Sequence, residues 1–204
     1  QRLKIVQSLP ITYIWVSDWM THKVQQDAII WNNTVTTIYN GINTEIFKQT
    51  EKTKARKKLW LPLNKTISIS IAWSGSQSNL KGLYYVKKLA KQYRFDQSVL
   101  FITLWNYKYN SCNNIIEFPF VSQQDMSLYF SAADIFLYPT LADSFGLVVA
   151  ESLSCWCPVV TFRTGWVPEI VQYEKNWYIA QYKNYDDLFN GFKWILKNRK
   201  NLNI

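Results

Sequence analysis

Histidine, cysteine and long apolar runs are scarce in this 204-residue chain, and each scarcity removes a class of protein. There is one histidine, His22, and there are three cysteines, at 112, 155 and 157. Cys155-Trp156-Cys157 lacks the two-residue spacing and the second pair that a structural zinc site uses, so no metal is expected. The odd cysteine count, with two of the three so close together, excludes a framework of structural bridges and reads as reduced thiols. No apolar run approaches the roughly 20 residues of a spanning helix, and the opening QRLKIVQSLP has no continuous apolar core of a signal peptide. The expected location is the cytoplasm, with the inner face of a membrane as its variant. No internal repeat is present.

Positive charge and aromatic side chains are plentiful instead: the net charge is +9, and there are 10 Trp, 13 Tyr and 11 Phe. Basic and aromatic groups together can bind phosphates and stack bases, which invites a nucleic-acid reading. The lysines are scattered, however, and no nucleic-acid partner is expected. One dense run, EKTKARKKLW at 51–60, reads as the solvated face of a short helix, with a patch for anionic lipid as the alternative. The hydrophobic fraction of 48% is ample for a packed core, and the length suits one large domain or one and a half.

Strand and helix signals alternate along the chain, which predicts an α/β fold with a parallel sheet and helices on both faces. ISISIAW at 67–73 is the clearest strand, followed by a helix over 81–93 with lysines between its apolar positions. Strands at 98–104 and 115–118, a helix over 123–132 capped by Ser122, a strand at 134–138, a helix from 146 and a strand at 158–162 complete the core. NWYIA at 176–180 adds an edge strand, and 186–200 reads as a closing amphipathic helix with basic residues at its C-terminal end.

The stretch 133–171, ADIFLYPTLADSFGLVVAESLSCWCPVVTFRTGWVPEIV, carries the chemistry. An apolar run fills a buried strand, Pro139 ends it, and a loop containing Asp143 and Ser144 leads through Phe145 and Gly146 into a helix starting near Leu147. The first backbone N–H groups of that helix are free to face an anion, and a diphosphate fits there. Asp143 precedes the helix and Glu151 lies about two turns into it, so at a rise of about 1.5 Å per residue the two carboxylates stand on the order of 10 Å apart. Carboxylates accept hydrogen bonds from sugar hydroxyls but repel phosphate, so hydroxyls are expected on either side of a phosphate. The alternatives are plainer: Asp143 as an N-cap or turn residue, Glu151 as a structural acid, Gly146 as a tight turn, Glu169 as a first-turn helix acid, His22 and Trp73 as structural residues.

These residues resemble the donor-binding half of retaining GT-B glycosyltransferases, family 4, known as glycosyl transferases group 1. The signature is an acid, seven residues and a glutamate, which Asp143 and Glu151 match. NLKG at 79–82 matches the family's Lys-Gly, VSDWMTHKVQQDAI at 16–29 and IYNGINTEIF at 38–47 look like the end of its first domain and its linker, and GWVPEIV at 165–171 matches the segment that closes the site. The resemblance implies a Rossmann-like sheet forming one half of a GT-B fold. It implies Lys81 as the cation on the donor diphosphate, Asp143 on the donor sugar, Glu151 on the ribose, and Ser144, Phe145, Gly146 and Leu147 around the phosphates. It also implies transfer from a nucleoside diphosphate sugar to a glycan or lipid-linked sugar, with no cofactor and no divalent metal, in keeping with the lack of an Asp-x-Asp pair.

The sequence departs from the family at three places. The first acid is Asp rather than Glu, which shortens its reach by about one methylene. Ser76 stands where an arginine usually precedes the lysine, a variant that Trp73 fits. Trp156 stands where a glycine is common, so a bulky residue must take another turn or accept strain. Residues 1–47 are expected to be a remnant of the acceptor domain plus linker, 48–185 the donor domain, and 186–204 a helix crossing back toward the acceptor side. The acceptor domain itself is expected in cis or in trans, and a non-catalytic nucleotide-sugar-binding module is the alternative function.

Overall fold

The computed structural model describes residues 11–26, 33–71, 80–104, 113–171 and 177–198. Trp73, Ser76 and Cys112 lie outside the described residues. A two-stranded parallel sheet comes first, formed by β1 (Thr12–Trp15) and β2 (Thr34–Thr37) with α1 (Asp18–Gln25) between them. α2 (Lys52–Lys58) then leads into the larger sheet: β3 (Thr66–Ile71), α3 (Leu83–Gln92), β4 (Val99–Leu104), β5 (Ile115–Phe118), α4 (Gln123–Ala132), β6 (Ile135–Tyr138), α5 (Leu147–Ser154), β7 (Val159–Phe162), α6 (Val167–Ile170), β8 (Trp177–Ala180) and α7 (Tyr185–Asn198).

The six strands are all parallel, in the order β5-β4-β3-β6-β7-β8. Counted from the first strand of this sheet, that is the 3-2-1-4-5-6 order of a doubly wound Rossmann fold. The chain winds outward from β3 in one direction and then returns to its other side at β6, so a crevice opens at the carboxyl ends of β3 and β6, where ligands bind in such sheets. β3, β4, β6 and β7 are buried along their whole length, which explains the nearly continuous apolar runs of β4, β6 and β7, while β3 alternates isoleucine with small buried hydroxyl residues.

Alternation sorts the side chains of each strand to two cores. Ile67, Ile69, Ile71, Ile102, Phe136 and Tyr138 face Ala55, Met126, Phe130 and Val149 from α2, α4 and α5. Phe101, Ile135, Leu137, Val160 and Phe162 face Val86 and Leu89 from α3 and Leu188, Phe192 and Ile195 from α7. The closing helix, expected to lead back toward the acceptor side, packs within its described length on β8, β7 and β6.

The basic run at 51–60 is not a uniformly solvated face. Arg56 is 4% exposed, and its guanidinium donates to Asp134 Oδ2 at 2.7 Å, to the carbonyl of Ala132 at 2.9 Å and to that of Lys65 at 2.9 Å. Lys52 donates to Asp134 Oδ1 at 2.9 Å, and Ile67 N–H donates to Oδ2 at 2.8 Å. Burial pushes the Asp134 carboxyl up, but Lys52, the Ile67 amide and Arg56 outweigh it and hold it below its ordinary value.

Trp156 keeps the left-handed conformation that glycine takes more easily, at φ 61, and remains half exposed. Trp60 does the same at φ 55 while 94% exposed. The left-handed region costs a side-chain-bearing residue roughly 1–2 kcal/mol, glycine loses about 0.5–1 kcal/mol through unfolded-chain entropy, and Trp60 has almost no packing to lose. Trp60→Gly is therefore expected to raise stability by about 0.5–1 kcal/mol, read as a higher urea midpoint at unchanged slope.

Candidate functional site

The crevice at the switch point holds the residues that the sequence singles out around the phosphates. A cavity of about 240 Å³ is lined by Ile71 from the end of β3, Lys81, Tyr138 from the end of β6, Asp143, Ser144 and Gly146 among others. Two glycines make this arrangement possible. Gly82 has φ 71, and a Cβ there would meet the Pro139 carbonyl oxygen at 1.9 Å, so only glycine lets the Lys81 turn lie against the end of β6. Gly146 has φ 64, and a Cβ would meet the Trp166 ring at 2.0 Å. Trp166 is fully buried and Phe145 packs on it with ring centroids 6.3 Å apart, so the turn into α5 rests on an aromatic floor. The predicted helix over 81–93 accordingly starts at Leu83, after the Lys81-Gly82 turn.

Lys81, Asp143 and Tyr138 meet in a closed triangle. Lys81 Nζ donates to Asp143 Oδ2 at 2.7 Å and to Tyr138 Oη at 2.9 Å, and the Tyr138 hydroxyl donates to the same Oδ2 at 2.7 Å. Asp143 Oδ1 accepts from Gly146 N–H at 3.3 Å, so the carboxylate also lies at the positive end of α5. Burial pushes the Asp143 carboxyl up, but hydrogen bonds from Lys81 and Tyr138 outweigh it and keep the group below the usual carboxylate range. Burial, reinforced by Asp143, raises the Tyr138 phenol well above its ordinary value. The amides of Leu147 and Val148 take no acceptor among the described residues, the state expected of a first helical turn. The arrangement presents a cation, a phenol and backbone donors at one point, with one carboxylate already in it.

Glu151 lies one turn further along α5, on the same side as Leu147 and Val148 by the three- and four-residue spacing. Its carboxyl takes no hydrogen bond or ion pair among the described residues, and burial pushes it up to about 7. It is not among the residues lining the cavity, so Lys81 and Asp143 are brought together while Glu151 flanks them.

The sequence profile described as "Glycosyl transferases group 1" matches residues 51–203. The chain belongs to the glycosyl transferases group 1 family. It is 24% identical over 177 residues to an uncharacterized glycosyltransferase of Methanocaldococcus jannaschii, covering 79% of this chain and 45% of that protein. Among solved structures, sucrose-phosphate synthase from Thermosynechococcus elongatus superposes with a TM-score of 0.80 at 16% identity, covering 98% of this chain and 52% of the other. Anabaena HepE, solved in complex with UDP and glucose, gives 0.75 at 16% identity, covering 98% and 57%. The sheet is therefore one half of the GT-B fold, and the chain spans about half the length of the relatives it matches.

Other residues have structural duties that sequence reading left open or did not reach. Glu169 accepts from the backbone N–H groups of Asp18 at 2.8 Å and Trp19 at 2.9 Å, clamping the start of α1 to the larger sheet. His22 hydrogen-bonds the Asp18 carbonyl through Nδ1 at 2.7 Å. Cys155 and Cys157 are buried free thiols, each pushed up to about 12 by burial. Tyr138 carried no sequence signal beyond a lone hydroxyl at the end of an apolar strand. A second cavity of about 750 Å³ shares Asp143 and Ser144 with the first and is walled by Trp19 and Lys23 of α1, Arg163, Gly165 and Tyr182. No described helix is long and apolar enough to cross a membrane.

Proposed function

We propose that this chain is the donor-binding half of a retaining, metal-independent glycosyltransferase that moves a sugar from a nucleoside diphosphate sugar to a glycan or lipid-linked acceptor. The observation that carries this reading is the convergence of Lys81 and the first turn of α5 at the switch-point crevice of a group 1 family sheet. Lys81 and the amides near Gly146, Leu147 and Val148 would stabilise the charge that grows on the departing diphosphate, which is where electrostatic catalysis acts. Ser144 and Phe145 shape that turn, Glu151 takes the ribose hydroxyls, and Asp143 takes the sugar once the diphosphate claims Lys81. The wider cavity beside α1 is then the route to sugar and acceptor. Residues 1–47 belong to the acceptor domain and linker, and 48–185 to the donor domain. The protein works in the cytoplasm, in keeping with its buried free thiols.

A second reading, a nucleotide-sugar-binding module without transfer, is favoured by the Lys81–Asp143 pair, because the cation is already neutralised. Calorimetry with UDP, GDP and ADP tests the shared part of both readings. Saturable binding to one of them, lost in Glu151→Ala, is the expected result; salt-sensitive binding to any polyanion would point to a charged adaptor instead. Transfer by the complete polypeptide then separates enzyme from module.

The Glu151 carboxyl adds a pH signature. A carboxylate accepts two ribose hydroxyls and a protonated acid accepts them less well, so binding favours the ionised form. With the free group near 7, nucleotide affinity is expected to rise by up to tenfold per pH unit below neutrality and to level off above it. Glu151→Gln should show a flat profile in the same titration. Because the folded value lies above the ordinary 4.5, the group's stabilising contribution is complete below 4.5 and fades as pH rises through about 7.

A further inference from the structure

We propose that the end of the six-stranded sheet opposite the candidate site is a docking face for an anionic lipid bilayer. In a parallel sheet all strands start at the same end, and β3 and β4 are neighbours tied at their starts by Thr66 N–H donating to the Ser98 carbonyl at 2.7 Å. The two segments that feed them, 59–65 and 93–98, therefore emerge side by side. Each carries apolar side chains at its tip: Trp60 is 94% exposed, Leu63 54% and Phe95 84%.

Basic side chains surround these tips. Lys57 and Lys58 end α2, Lys65 precedes β3, Lys91 lies in the last turn of α3 and Arg94 just beyond it. Lys88, Lys91, Gln92, Arg94 and Phe95 line a shallow cavity of about 450 Å³, with the Arg94 guanidinium 4.6 Å from the Phe95 ring centroid. Segments 52–65 and 87–98 contain one acid, Asp96, whose Oδ1 is taken by the Ser98 amide at 2.9 Å and the Ser98 hydroxyl at 2.6 Å.

An exposed tryptophan, phenylalanine and leucine ringed by cations match the boundary between headgroups and acyl chains, where rings and aliphatic tips leave water and each nearby Lys or Arg adds roughly a five-fold factor in partitioning onto an anionic surface. A single-stranded nucleic acid would use the charge and the rings but has no use for the aliphatic Leu63. Trp60 holds a left-handed φ of 55 with almost no packing in return, so the fold gains nothing from presenting it. β3 and β4 are six residues long, which puts the docking face on the order of 20 Å from the crevice at their other ends and leaves the donor site uncovered.

Co-sedimentation with phosphatidylcholine vesicles, with and without phosphatidylglycerol, tests this. The chain should bind the phosphatidylglycerol vesicles, lose that binding as salt rises, and ignore neutral vesicles. Combining Trp60→Gly with Phe95→Ser, and separately Lys57→Gln with Lys58→Gln, should each weaken vesicle binding roughly tenfold or more, with a single cooperative urea transition retained and nucleotide calorimetry unchanged. The proposal is overturned if folded variants bind like wild type, if neither vesicle is bound, or if polyuridylate is bound more tightly than phosphatidylglycerol vesicles. The vesicle and polyuridylate readouts do not depend on the donor site, so a negative nucleotide titration leaves the lipid test intact.

Discussion

Lys81→Met is expected to weaken UDP binding by roughly 10- to 100-fold, the equivalent of the 1.5–3 kcal/mol that a hydrogen bond to a charged group contributes. Two effects act in the same direction. The diphosphate loses its cation, and Asp143 loses the partner that offsets its charge, leaving a carboxylate at the mouth of α5 where the phosphates must sit. Calorimetry on this chain reads both. Asp143→Asn should move the other way: Lys81 is released from its 2.7 Å pair, and UDP or inorganic pyrophosphate should bind more tightly than to wild type. Because the pair is partly buried, with side chains 20% and 15% exposed, the exchange is less screened than at an open surface. Equal UDP affinity in Lys81→Met and wild type would remove Lys81 from the phosphate site and take the proposed leaving-group chemistry with it.

That triangle shows where sequence reading stops. Lys81 and Asp143 are legible as a base and an acid in separate motifs, but nothing in a linear pattern says that residues 62 apart are hydrogen-bonded to one another. The shorter Asp implies lost reach toward a sugar; in the fold its carboxylate lies on Lys81 and Tyr138. Tyr138 falls in the apolar run 134–138, and its ring does belong to the core, stacked on Phe136 at 5.3 Å, while its hydroxyl reaches the crevice. Amphipathic tips of buried strands are invisible to periodicity for this reason.

Elements whose signals are local came through well. Ser122 caps α4 by accepting from Asp125 N–H, as the Ser-x-x-Asp spacing predicts, and the strand at 115–118 has the expected bounds. The parallel sheet is legible in the alternation of strand and helix signals, since each strand is followed by a crossover helix or a long connection. β2 was not anticipated: Thr-Val-Thr-Thr offers one apolar residue, and its pairing with β1 depends on partners 22 positions away, such as Thr12 with Thr34. The tight turn at Trp156 was expected to change or to strain, and the chain kept the conformation and accepted the strain.

Arg56 is the position where reading a charge run as a solvated face misleads most, and it carries the largest expected stability effect. Arg56→Leu should destabilise the fold by about 3–5 kcal/mol, because it removes one member of a buried ion pair and leaves Asp134, 9% exposed, with only Lys52 and one amide. Besides the Ala132 carbonyl, the carbonyls of Pro62, Leu63 and Lys65 would lose their guanidinium donor as well, loosening the segment that enters β3. The double variant Arg56→Leu with Asp134→Asn should cost less than the sum of the two single changes, since the unpaired charge is gone in it. Wild type should lose the pair's contribution as pH falls below the ordinary 3.8 of an aspartate and through the lower folded value. In Arg56→Leu burial faces less opposition, the Asp134 carboxyl rises toward its ordinary value, and its contribution to the acid limb of a urea-midpoint titration shrinks. A midpoint for Arg56→Leu within error of wild type would mean that the starts of β3 and β6 are held without Arg56, by packing and the Ile67–Asp134 hydrogen bonds.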